Sequence, residues 1–121
     1  MRRRDLLPVV VFSTIAMGLA PAAGPAHAAD EPTFRIEFRD GVITPLRLEV
    51  PAKTRFRLEL VNRGASAAEF ESLELRKEKV LAPGVETVMV IRTLDPGEYS
   101  FFDDFHPGSP PAVLVAKQVL N

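Results

Sequence analysis

The sequence predicts an all-β domain, a two-sheet sandwich of seven or eight short strands. Three observations carry that expectation. Apolar and polar residues alternate with period two along most of the chain after Phe34, and turn residues recur at intervals of about ten. No stretch of about eleven residues shows a capped 3.6-residue apolar period, so almost no helix is expected.

The strands follow in order. Phe34, Ile36 and Phe38 alternate with Arg35, Glu37 and Arg39, and Asp40-Gly41 ends the run. Leu46, Leu48 and Val50 repeat the pattern up to a turn at Pro51-Ala52-Lys53. Phe56, Leu58 and Leu60 then alternate with Arg55, Arg57 and Glu59 before Asn62-Arg63-Gly64. In Glu69 to Leu75, Phe70 has one phase and Leu73 and Leu75 the other, which predicts a bulge near Ser72. Val85 to Ile91 is apolar except at Glu86 and Thr87, as in a strand covered on both faces. Glu98 to Asp104 and Ala112 to Lys117 complete the set, and Ala29 to Pro32 reads as a frayed leader.

The first 28 residues read as an export signal. Arg2, Arg3 and Arg4 precede the apolar run Leu6 to Ala20, and Ala26-His27-Ala28 is a small-x-small cleavage pattern. The run is about 15 residues, short of the roughly 20 that span a bilayer as a helix. Arg3-Arg4-Asp5-Leu6-Leu7 also fits a twin-arginine core, which leaves the export route open. The expected organisation is a signal peptide over 1–28 and one domain over 29–121, periplasmic or otherwise exported and not membrane-spanning after cleavage.

Composition removes several kinds of chemistry. The chain has 121 residues, 15 Lys+Arg against 16 Asp+Glu, two His and no Cys. A formal charge of -1 lacks the basic excess a nucleic-acid binder uses to displace counterions from phosphates. Without cysteine there is no disulfide, thiolate nucleophile, Cys-ligated zinc, iron-sulfur centre or copper-thiolate site. Beyond residue 28 the chain retains one histidine, His106.

Two segments concentrate charge: Glu69, Glu71, Glu74 and Glu78 in the first, Asp103, Asp104 and His106 in the second. Pro107, Pro110 and Pro111 restrict the loop after His106, so ligands at its start would lose little ordering entropy. Carboxylates and one imidazole are hard to intermediate donors, suited to iron, manganese or Cu(II). The same acidic residues alternating along a strand also describe a solvated face. Asp103-Asp104 equally fits a strand end, and a lone loop histidine an idle side chain.

The order Pro96-Gly97-Glu98-Tyr99-Ser100-Phe101-Phe102, an acidic pair and Phe105-His106-Pro107 resembles the last ligand loop of a cupredoxin. The segment Leu58 to Asn62 followed by Glu69-Phe70-Glu71 is similar to the region of the first cupredoxin histidine. Glu69 to Leu75, with Glu78-Lys79-Val80 and Ala82-Pro83-Gly84, resembles the cupredoxin-like components of bacterial periplasmic iron-uptake systems. The resemblance covers about residues 33–117.

That resemblance implies a Greek-key cupredoxin-like β-sandwich that binds a copper or iron ion. Its partners would be a periplasmic iron-binding protein and an inner-membrane iron permease, with no nucleic acid. The implied metal ligands are His106, Asp103 or Asp104 from its loop, Glu69 from the facing strand, then Glu78, with Glu71 a ligand or an acceptor orienting one. The chain departs from the blue-copper pattern: Asp103 stands at the cysteine, Pro110 or Pro111 at the methionine, and Ala68 at the first histidine. Turnover is not expected from so few redox groups, although a part in ferrous-iron oxidation with a partner fits the resemblance. The competing expectation is a metal-free β-sandwich adhesion or scaffold module that docks a basic partner.

Overall fold

The computed structural model describes residues 31–119. The signal peptide expected over 1–28, and the domain start at 29, lie outside the described residues. Within them the chain forms nine strands and no helix. In chain order these are β1 (Thr33–Arg39), β2 (Val42–Thr44), β3 (Arg47–Pro51), β4 (Phe56–Asn62), β5 (Ala68–Ser72), β6 (Lys77–Leu81), β7 (Glu86–Ile91), β8 (Gly97–Asp103) and β9 (Ala112–Lys117).

They build a sandwich of two mixed sheets, one in the order β2-β1-β4-β7 and one in the order β3-β9-β8-β5-β6. Parallel pairing joins β1 to β4 and β3 to β9, while the other pairs are antiparallel. The alternating pattern explains the layers. Ile36 and Phe38 of β1 and Phe56, Leu58 and Leu60 of β4 are fully buried against Phe70, Phe101 and Leu114 of the other sheet. Each such side chain contributes about 1.5–3 kcal/mol of apolar burial. Phe70 and Phe101 stack with ring centroids 5.0 Å apart, which ties β5 to β8 beneath the acidic segments.

Four expectations are corrected. The strands number nine because β2 and β6 are short strands that the pattern does not announce. The phase change at Ser72 is the start of a hairpin turn rather than a bulge: Leu73 to Arg76 turn, Arg76 has φ 57°, and β6 returns alongside β5. The turn is held by the buried Ser72 hydroxyl, which donates to the Ser100 carbonyl at 2.8 Å and accepts from the Leu75 N–H at 3.2 Å. β7 is an edge strand rather than one covered on both faces, and Val88 remains 44% exposed. Finally, Glu31 and Pro32 are tied down: Glu31 pairs with Arg55 at 2.8 Å, and the Pro32 carbonyl accepts from the Arg57 N–H at 2.9 Å.

Candidate metal centre

Glu69 and Glu71 flank Phe70 on β5. Because Phe70 points into the core, strand alternation sends both carboxylates to the outer face of the five-stranded sheet. Asp104 follows β8 at the point where the chain leaves the ladder, and its N–H donates to the Glu69 carbonyl at 3.0 Å. These three side chains converge, with one carboxylate oxygen from each lying within 4.8 Å of the others. Glu78 of β6 stands opposite Glu71 in the β5–β6 register and completes an acidic patch without joining that inner group.

The electrostatics of the patch are those of crowded like charge. Partial burial, followed by the charges of Glu71, Glu78 and Asp104, pushes the Glu69 carboxyl above its ordinary range. Partial burial, then Asp104 and Glu78, does the same to Glu71. Among the described residues no lysine or arginine forms an ion pair with Glu69, Glu71, Glu78 or Asp104.

Asp103 and His106 lie elsewhere. The Asp103 side chain is fully buried, and its Oδ2 lies 2.7 Å from His106 Nδ1. Its Oδ1 accepts from the backbone N–H groups of Glu69 at 2.9 Å and Phe105 at 3.0 Å. The other imidazole nitrogen, Nε2, is 3.0 Å from the Ser66 hydroxyl. Ser66 in turn lies 2.7 Å from Asp40 Oδ1, which also accepts from the Ala65 and Ser66 N–H groups at 3.0 Å. The single hydroxyl proton of Ser66 can serve Asp40 or His106 but not both. Gly41 closes over this chain, since a Cβ there would sit 2.8 Å from Ser109 Oγ and 3.3 Å from His106 Cβ.

The six residues singled out from sequence thus divide between two structures. Glu69, Glu71 and Asp104 meet on the outer sheet face with Glu78 beside them. Asp103 and His106 form a hydrogen-bonded chain with Ser66 and Asp40 at one end of the sandwich. Sequence reasoning passed over Ser66 and Asp40, which sit in turns about forty and sixty-six residues before His106 and carry only generic turn signals. Ala68, which the resemblance sets at the first cupredoxin histidine, is a buried small residue.

Chemically, three converging carboxylates offer an all-oxygen set for a hard cation. The arrangement does not fit a blue-copper ion. There is no thiolate, and both nitrogens of His106 already have protein partners.

Comparisons with known proteins agree with the architecture. The chain is 29% identical over 111 residues to the uncharacterized protein RP394 of Rickettsia prowazekii, covering 91% of this chain and 89% of that one. Reduced auracyanin from Roseiflexus castenholzii superposes with a TM-score of 0.61 at 13% identity, covering 72% of this chain and 98% of auracyanin. A purple cupredoxin from Nitrosopumilus maritimus gives 0.53 at 17% identity, covering 69% and 98%. The profile of the cupredoxin-like domain matches residues 9–116. With two mixed sheets and that match over most of its length, the chain belongs to the cupredoxin-like domain family.

Proposed function

We propose that this protein is an exported metal-binding accessory protein that takes an iron or copper ion on the outer sheet face, at Glu69, Glu71 and Asp104. The observation that carries the reading is the convergence of those three carboxylates without a cationic partner. A bound cation relieves the repulsion that raises the Glu69 and Glu71 carboxyls. Hard oxygen donors favour Fe(III) over Cu(I), and Cu(II) stands between them. Glu78, facing Glu71, supplies further negative charge at the edge of the site.

Export is supported by the arginine-led apolar run and by Ala26-His27-Ala28. No helix among the described residues is long and apolar enough to cross a membrane. A role beside a periplasmic iron-binding protein and an inner-membrane iron permease follows from the likeness of the Glu69 to Leu75 and Glu78 segments to iron-uptake components. In that setting the protein holds and passes on an ion, and the shallow, solvent-facing position of the carboxylates suits release.

The test is a competition titration of the full chain with citrate-buffered Fe(III) and with Cu(II), repeated on Glu69→Gln and Asp104→Asn. Each substitution is expected to weaken Fe(III) binding by about 10- to 100-fold. Equal affinity in all three proteins would favour the metal-free scaffold that docks a basic partner.

A further inference from the structure

Two consecutive residues hold the backbone of Glu69 from the same side. Its N–H donates to the carboxylate of Asp103 at 2.9 Å, and its carbonyl accepts from the N–H of Asp104 at 3.0 Å. The β5–β8 ladder pairs only Phe70 with Asp103 and Glu71 with Phe102, so the clamp lies where the regular register stops. The Asp103 side chain is fully buried and spends both oxygens: Oδ1 on Glu69 and Phe105, Oδ2 on His106. A carboxylate so engaged has no lone pair aimed at solvent.

We infer that Asp103 is the positioning residue of the carboxylate site: it ligates nothing itself and fixes the β8 exit against β5 so that Glu69 and Asp104 share one ion. This rests on the metal-binding reading proposed above. Without the Asp103 bond, Glu69 keeps a single link to the loop that carries Asp104, and the 4.8 Å grouping depends on that loop's position. His106 acts one step further out. Its Nδ1 holds Oδ2, its Nε2 reaches Ser66, and Ser66 is fastened to Asp40 in the β1–β2 turn. Three loops therefore brace one buried carboxylate, which leaves Oδ1 aimed at Glu69. Backing of this kind sets ion affinity through the ligands it orients.

The experiment uses Eu(III) as a hard trivalent probe on the full chain. Affinity comes from titration, and the number of waters on the bound ion comes from luminescence lifetimes in H2O and D2O. Asp103→Asn is expected to weaken Eu(III) binding by about 10- to 100-fold with the hydration of the saturated complex unchanged. Glu69→Ala, which removes a ligand oxygen outright, should weaken it and add about one water. Wild-type affinity in Asp103→Asn overturns the inference, and so does an extra water in its saturated complex, which would make Asp103 a ligand. If Asp103→Asn does not fold, His106→Gln asks the same question: about 3- to 10-fold weaker binding at constant hydration supports the positioning role, and unchanged affinity overturns it. Unchanged affinity in both Glu69→Ala and Asp104→Asn would instead remove the carboxylate site itself. Phe34→Leu, which removes the edge-on ring contact with Phe56 at the end of β1 far from Asp40, is expected to bind Eu(III) as wild type below its melting transition, separating loss of positioning from general loosening.

Discussion

Glu71 and Glu78 stand directly opposite each other across the β5–β6 ladder, two carboxylates in a register that favours opposite charges or apolar pairs. Like charge at a cross-strand pair destabilises the empty protein. Glu71→Gln is therefore expected to raise the melting temperature of the metal-free chain by a few degrees and to shrink the further rise on adding Mn(II) or Fe(III). In wild type, ligand at about a hundredfold excess over its dissociation constant stabilises by about 2.7 kcal/mol. Thermal melts with and without each ion measure both effects.

Opposite pH slopes should come from Asp40 and Glu71. The Asp40 carboxyl lies below its ordinary value of 3.8, held there first by the Ser66 hydroxyl, then by the Ser66 and Ala65 N–H groups. Its contribution is present above the unfolded value and is lost as pH falls through the lower folded one. Glu71 is raised above 4.5 by partial burial and then by Asp104 and Glu78. Its favourable state is the protonated one, fully present below 4.5 and lost as pH rises through the higher folded value. Urea midpoints from about pH 3 to pH 7 should show Asp40→Asn losing stability relative to wild type toward neutrality, and Glu71→Gln gaining it.

Cu(II) added to the full chain should give a weak, pale absorption. An intense blue band requires a copper-thiolate bond, and the sequence contains no cysteine. Visible spectroscopy during titration is the check, and a strong band near the usual blue-copper position contradicts the residue inventory.

Asn62 is 1% exposed, and its amide ties three segments. Nδ2 donates to the Ser66 and Leu81 carbonyls, each at 2.9 Å, and Oδ1 accepts from the Gly64 N–H at 2.9 Å. Asn62→Ala leaves those groups without partners in a confined place, and a loss of about 3 kcal/mol is expected from urea unfolding. Asn62→Asp should also destabilise, because a carboxylate cannot donate to two carbonyls.

Gly64 allows the β4–β5 loop to lie on the β1–β2 turn. A Cβ there would come within 2.6 Å of the Asp40 backbone nitrogen, so Gly64→Ala must push the two loops apart. A loss of about 1–3 kcal/mol is expected. The NMR shift of the His106 ring should also move, because Asp40 and Ser66 are displaced from it.

Period-two alternation alone orders the layers of the sandwich. Phe34 to Phe38 and Phe56 to Leu60 are long enough for period two to state which side faces the core, since each buries one face over several residues. Alternation also put Glu69 and Glu71 in the outward phase of a strand whose inward residue is Phe70, a pattern that equally describes a solvated face. What it left to the tertiary structure was short or non-local. β2 is three residues, below the length at which alternation can be read, and the turn after Ser72 has the same phase change as a bulge. Val85 to Ile91 is apolar whether buried or at an edge, and only sheet order decides which. The separation of Asp103 from Asp104 is the sharpest case. Adjacent residues of like chemistry point to opposite sides of a strand end, so one carboxylate enters the interior and takes hydrogen bonds from Glu69, Phe105 and His106. The other remains in solvent with Glu69 and Glu71. Pairings across tens of residues depend on which strands become neighbours, and the packing of the two sheets decides that.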